Sequence, residues 1–209
     1  MNNQITRVHS GAFVTNTYFI NSDKGHSLII DPASTFGKEE RILEGRNPDI
    51  ILLTHAHIDH FYDAEKYREK YGSKVFVHIL DEKYLSDSSL NAPSIGENDG
   101  YELRTTFADG TFSDGDVFEF EKDKIKVIHT PGHTEGSCCF LCDNYLFSGD
   151  TLFLHSVGRT DFPLGDMKSL LMSVDKLISS FSDNINILPG HGFSTTIGEE
   201  RHNNPFYNK

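Results

Sequence analysis

Three imidazoles and a carboxylate crowd into the six residues His55-Ala56-His57-Ile58-Asp59-His60, directly after the apolar run Ile50-Ile51-Leu52-Leu53. Side chains alternate along an extended backbone, so His55 and His57 face the same way and can grip one cation. Asp59 and His60 follow on the turn and can serve a second cation nearby. A donor set of nitrogen and oxygen without thiolate suits zinc, and also iron or manganese.

Further candidates occupy the same setting at the ends of apolar strands. His133 lies in Thr130-Pro131-Gly132-His133-Thr134, after the strand that ends at His129. Asp150 closes Tyr145-Leu146-Phe147-Ser148-Gly149-Asp150, and His191 sits in Leu188-Pro189-Gly190-His191-Gly192. Taken singly, a histidine after a strand is an ordinary surface or core residue, and Gly-Asp is an ordinary turn. Ligands at several strand ends converge when those strands lie side by side in an α/β sheet. The flanking glycines let the backbone approach a metal or substrate closely.

The elements that must position these residues read as two runs of strands, each followed by helices. Ile5 to His9, Phe13 to Ile20 and Ser27 to Asp31 alternate apolar and polar residues, with a hairpin turn at Asn21-Ser22-Asp23-Lys24-Gly25. A helix over 38–45 leads to the strand Ile50–Leu53, and a helix over 61–71 stops at Gly72, before the short strand Val75 to His78. The weakly patterned stretch from Asp81 to Asp109 reads as a long surface excursion opening on a short helix. Strands resume at Val117–Phe120, Lys124–His129, Ser137–Cys142 and Tyr145–Gly149, with Asp143-Asn144 as a tight turn. Met167 to Phe181 is an amphipathic helix with Leu170, Leu171, Val174, Leu177, Ile178 and Phe181 on one face. A strand at Asn186–Leu188 and a helix over 196–203 complete the pattern. The expected fold is α/β, a four-layer αββα sandwich of two mixed β-sheets flanked by helices, in one domain over residues 1–209.

Composition sets outer limits. The chain has 209 residues, 37% of them hydrophobic, which is enough for a substantial core. A formal net charge of −12 argues against a nucleic-acid surface, since phosphate neutralisation needs clustered Lys and Arg. No apolar stretch is long enough to span a bilayer, and Met1-Asn2-Asn3-Gln4 opens no signal peptide, so a cytoplasmic protein is expected. Cys138, Cys139 and Cys142 form no secretory disulfide framework. On a strand, Cys139 and Cys142 face opposite sides, which suits buried hydrophobes better than a redox pair.

The ordered series His-x-His-x-Asp-His, Pro-Gly-His, Gly-Asp and Gly-His resembles the metallo-β-lactamase-fold hydrolases. The similarity runs over nearly the whole chain, from Asn16-Thr17-Tyr18 and Asp31-Pro32 onward. It implies two divalent metal ions, zinc first and iron or manganese as alternatives. One would be held by His55, His57 and His133, the other by Asp59, His60 and His191, with Asp150 bridging. The segments Gly149-Asp150-Thr151-Leu152-Phe153, Val157-Gly158-Arg159-Thr160-Asp161-Phe162-Pro163, Pro189-Gly190-His191-Gly192 and Asn204-Pro205-Phe206 are most similar to the glyoxalase II-like branch, the hydroxyacylglutathione hydrolases, in a short single-domain form. Other histidines (His9, His26, His78, His129, His155 and His202) match no ligand position. Of these, His129 and His155 stand nearest the ligands in sequence.

That resemblance implies hydrolysis of a small, S-lactoylglutathione-like thioester by metal-bound hydroxide, with Asp59 orienting the nucleophile. A cation beside the carbonyl oxygen would do the work of an oxyanion hole, and no nucleophilic Ser or Cys is needed. Full-length glyoxalase II has an added C-terminal helical domain, which is not seen up to Lys209. Its loop after the bridging Asp offers a Lys and a Tyr to glutathione, whereas this chain offers Arg159 and Asp161. Arg159 is thus a candidate substrate contact, or an ion pair with Asp161 that braces the loop. The partner expected is a small molecule, not nucleic acid or membrane, and the chain is expected to act as a monomer or homodimer.

Two readings compete. Persulfide dioxygenases share the fold and a Gly-Arg-Thr-Asp-Phe segment but use one iron on two His and an Asp, here His55, His133 and Asp150. The presence of every second-site ligand, His191 included, favours the two-metal hydrolase. A non-enzymatic binding module would have lost ligands first, and none is lost.

Overall fold

A computed structural model describes residues 4–92 and 102–207. The chain divides into two compact units, Met1–Phe112 and Ser113–Lys209. Together they give an α/β fold with two mixed β-sheets and helices, as the sequence pattern implies.

The first unit runs β1 (Gln4–Ser10), β2 (Thr15–Asn21), β3 (His26–Ile30), α1 (Glu39–Leu43), β4 (Asn47–Leu52), α2 (Ile58–Phe61), α3 (Ala64–Tyr71), β5 (Lys74–His78), a 3₁₀ turn at Glu82–Ser86, α4 (Ser88–Asn91) and β6 (Gly110–Phe112). Its sheet has the order β1-β2-β3-β4-β5-β6. β2 is antiparallel to both β1 and β3, while the pairs β3/β4, β4/β5 and β5/β6 are parallel. The turn between β2 and β3 closes through Ser22 N–H to His26 O at 2.9 Å, with Gly25 at φ +89°, a conformation that favours glycine. Phe19, Ile29, Ile51, Leu53, Val75 and Val77 from the sheet pack with Phe61, Ala64 and Tyr67 from the helices as one core.

The expected helix over 61–71 is instead two helices broken at Tyr62 and Asp63. Asp63 is committed elsewhere: its N–H donates to Pro32 O at 2.9 Å, and its carboxylate accepts from Phe36 N–H at 2.7 Å. A backbone donor spent outside the helix cannot continue the helical ladder. The stop at Gly72 is as expected, left-handed at φ 73° with its N–H on Arg68 O. Of the excursion after Asp81, residues 93–101 lie outside the described residues.

The second unit runs β7 (Val117–Phe120), β8 (Asp123–His129), β9 (Cys138–Cys142), β10 (Tyr145–Gly149), β11 (Leu152–Phe153), β12 (Ser156–Val157), α5 (Met167–Ser180), β13 (Asn186–Pro189), β14 (Thr195–Thr196) and α6 (Ile197–Asn203). Its six-stranded sheet has the order β14-β13-β10-β9-β8-β7, and β11 with β12 forms a separate hairpin. β10 and β13 are parallel, and the other pairs are antiparallel. Leu170, Val174, Leu177 and Ile178 of α5 pack on Ile128, Cys139, Leu146 and Ile187 of the sheet. α5 and α6 start on side-chain caps, Asp166 accepting from Ser169 N–H and Thr196 from Glu199 N–H.

β6, β11, β12 and β14 went unread in the sequence. Each has only two or three residues, too few to show a period. All three cysteines are free and buried, consistent with their reading as small hydrophobes. Among the described residues, no helix is long and apolar enough to cross a membrane.

Candidate metal centre

In the first unit, parallel β3, β4 and β5 end on one edge of the sheet, and antiparallel β2 begins there. The histidine-rich segment leaves this edge after β4. Thr54 donates from N–H to Asp31 Oδ1 at 2.8 Å and from its hydroxyl to Oδ2 at 2.7 Å, which turns the chain into the cluster. Ala56 N–H donates to the buried Asp81 carboxylate at 3.1 Å. His55 and His57 then present their rings edge-to-face at 4.8 Å, and His55 lies 4.1 Å from the ring of His60. A ring nitrogen of His55 and one of His57 lie within 4.8 Å of each other, on a segment that has already left β4. Asp59 and His60, expected on a turn, sit on the short helix α2, with His57 as the residue before it.

Two contacts decide what this cluster offers. His60 Nδ1 bonds Asp31 Oδ2 at 2.9 Å, which holds the Nδ1–H tautomer and leaves Nε2 as a lone-pair donor. Thr15, at the start of β2, donates its hydroxyl to Asp59 Oδ2 at 2.7 Å and fixes that carboxylate. His60 Nε2 then stands 3.5 Å from Asp59 Oδ2.

In the second unit, β8, β10 and β13 run in one direction and end on one edge of their sheet. His133, Asp150 and His191 follow those three ends. Gly190 N–H donates to Gly149 O at 2.8 Å, tying the Asp150 and His191 turns together. His133 Nδ1 bonds the carbonyl of Arg159 at 2.7 Å, so its Nε2 is turned toward Asp150. His133 Nε2 and His191 Nε2 stand 3.6 and 3.5 Å from Asp150 Oδ2.

These nitrogen–oxygen separations are longer than a good hydrogen bond. They match a different geometry: two ligand atoms about 2.1 Å from a tetrahedral cation stand roughly 3.4 Å apart. Two buried imidazoles with one nitrogen locked, His60 and His133, and the partly exposed His191, all beside carboxylates, are thus a donor set that fits divalent cations. Each unit carries such a His/Asp cluster.

Glycine controls how closely these turns pack. A Cβ on Gly158 would stand 1.9 Å from Asp150 O and 3.3 Å from His133 Nδ1, so no side chain fits there. At Gly132 (φ +140°) a Cβ would meet the backbone of Leu170 at 2.3 Å. The His133 turn therefore rests directly on α5, which also holds it through Ser173 Oγ to Pro131 O at 2.8 Å.

Arg159 forms a bidentate pair with Asp161, Nε to Oδ1 at 2.6 Å and a terminal nitrogen to Oδ2 at 2.5 Å, with the guanidinium 4.1 Å over Phe162. Hydrogen bonds from Arg159 hold the Asp161 carboxyl down at about 2. Its side chain thus forms the expected ion pair with Asp161, while its carbonyl orients His133. His129 Nε2 bonds Glu135 O at 2.8 Å and His155 Nε2 bonds Glu199 at 2.7 Å, so both are engaged in loop packing.

Asp31, Thr15, Asp81 and Gly158 are further residues that shape the cluster. For Asp31 the signal was present, since an acidic residue closing an apolar strand is also the setting of Asp150. Thr15 and Asp81 carry no local signal. Glu200 is fully buried and accepts from Thr195 Oγ1 at 2.6 Å, His155 N–H at 2.9 Å and Asn204 Nδ2 at 2.8 Å. It fastens the β11–β12 hairpin that follows Asp150 to the segment that follows His191.

The family model of the metallo-β-lactamase superfamily matches residues 10–191, and the chain belongs to that superfamily. It is a metallo-hydrolase fold with His/Asp clusters suited to divalent metals. The hydroxyacylglutathione hydrolase GloC of Haemophilus influenzae is 33% identical, over 94% of each chain. Among solved structures, the BLEG-1 B3 metallo-β-lactamase superposes with a TM-score of 0.90 at 32% identity, covering 99% of this chain and 100% of that one. TTHA1623 in a di-iron-bound form gives 0.79 at 31% identity, covering 96% and 99%. ETHE1 from Myxococcus xanthus gives 0.79 at 23%, covering 97% and 83%, a likeness of fold alone.

Proposed function

We propose that the chain is a binuclear metal-dependent hydrolase of small, S-lactoylglutathione-like thioesters. His55, His57 and His133 would hold one cation and Asp59, His60 and His191 the other, with Asp150 available to both. The observation that carries this reading is the spacing of 3.5 to 3.6 Å between imidazole Nε2 and carboxylate oxygen at His60, His133 and His191. The 33% identity with a hydroxyacylglutathione hydrolase supports the substrate class. We infer also that both units act as one domain over residues 1–209, supported by a family match that runs through both.

When bound, the cations supply an acidified water and a positive charge beside the substrate carbonyl. The chain's own part is to hold donors and aim them. Asp31 and the Arg159 carbonyl fix the tautomers of His60 and His133, and Thr15 holds Asp59 in position to orient the attacking water. The mechanism calls for no cysteine nucleophile: all three cysteines are buried, and burial pushes the thiols of Cys139 and Cys142 up to about 11 and about 12. Zinc is the first metal to test, with iron and manganese beside it.

The test is metal analysis of the purified protein, coupled to turnover of a thioester panel that includes S-lactoylglutathione. A β-lactam and oxygen uptake with glutathione persulfide serve as the contrasting arms. Asp59→Ala should lower thioester turnover by about 10²-fold or more while the fold persists. Undiminished turnover in that variant refutes the mechanism, and oxygen uptake without hydrolysis points to the one-iron set of His55, His133 and Asp150.

A further inference from the structure

Helix α5 buries one face and leaves a second apolar stripe outside. Its inner face, Leu170, Val174, Leu177 and Ile178, is fully buried. On the outer side, a groove of about 660 Å³ runs along the helix, with Met167, Leu171, Met172 and Phe206 supplying the apolar lining. Met172 is 65% exposed, and Met167, Phe206 and the nearby Leu164 are also exposed. Apolar side chains gathered in one concave strip mark an association surface more often than isolated ones do.

The charges in the groove state what fits it. Lys168 precedes the Leu171-Met172 pair by three residues, and Asp175 follows it by three. Both are exposed, and at seven residues' separation they stand roughly 10 Å apart along the axis, too far to pair within the helix. Lys176 is drawn back to its own chain, to His129 O at 3.2 Å and Asp114 at 3.7 Å. The stripe thus reads plus, apolar, apolar, minus. Laid antiparallel on an identical stripe, with a two-fold axis between Leu171 and Met172, each Lys168 meets the other copy's Asp175. Laid parallel, like charges would face each other. A self-complementary pattern of this kind is what a two-fold interface requires. A net charge of −12 opposes unspecific contact between copies, so the local match matters more.

We propose that the outer face of α5 is a homodimer interface, in which two α5 helices cross antiparallel at Leu171 and Met172. Apolar burial in the groove supplies the affinity, and the two Lys168–Asp175 pairs set the register. Exposed ion pairs add little strength but select against the parallel arrangement.

Sedimentation of the full chain over a concentration series tests this. Wild type should dimerise. Lys168→Glu and Asp175→Lys should each weaken the dimer by about tenfold or more, because each places two like-charge contacts at the interface. The double variant Lys168→Glu/Asp175→Lys should restore it, and Met172→Glu should leave a folded monomer by circular dichroism. A monomeric wild type overturns the proposal, even if the groove takes up an acyl chain or detergent. So does a dimer indifferent to all four variants.

Discussion

Asp31 closes β3 with φ at 54°, a left-handed conformation that costs an ordinary side chain about 1 kcal/mol or more. The cost is offset by three charge-assisted hydrogen bonds, from Thr54 N–H, Thr54 Oγ1 and His60 Nδ1. One buried carboxylate therefore places the start of the histidine segment and also sets the tautomer of its last histidine. Asp31→Asn tests this, since asparagine tolerates the same backbone angle but cannot accept as an anion from all three donors. Metal affinity, measured against a competing chelator, should fall about 10- to 100-fold, and stability by about 1–3 kcal/mol. Unchanged affinity would mean that Asp31 only shapes the turn. Asp59, His133 and His191 could be singled out from the sequence because their residue types announce metal chemistry. Gly158 could not be assigned a role, because its importance lies in a side chain that would collide with Asp150.

The strands that deliver ligands were legible as short apolar or alternating runs, several of them bounded by turn residues. β7 to β10 emerge within a residue of their expected limits. The helix over 61–71 failed at Asp63, where a bond to Pro32 outweighs helix propensity. β9 also carries a prediction of its own. Burial raises the Cys139 thiol from 9.0 to about 11, so the folded chain keeps its proton where the unfolded chain loses it. The stability that this proton contributes is complete below pH 9 and is lost as pH rises from about 9 toward 11. Denaturant unfolding between pH 8 and 11 should show a decline on the order of 1 kcal/mol per pH unit over that window. In Cys139→Ala the slope should be shallower by that amount, and equal slopes would deny the thiol its role.

At the scale of the molecule, metal and stability should be linked. A cation bound by the folded chain and not by the unfolded one stabilises it by about 4 kcal/mol when present at a thousand times its dissociation constant. Dialysis against a chelator should therefore abolish thioester turnover and lower the melting temperature by several degrees, and zinc should restore both. Loss of turnover with an unmoved melting temperature would place the metal outside the folded framework. The sequence alone marked the candidate donors and the strands that carry them. Alternation, apolar runs and turn residues are local signals, readable within ten residues. Only the tertiary structure decided how those donors are aimed. The partner of His60 lies 29 residues away, that of Asp59 44 and that of His133 26, and no local pattern encodes a hydrogen bond across such a distance.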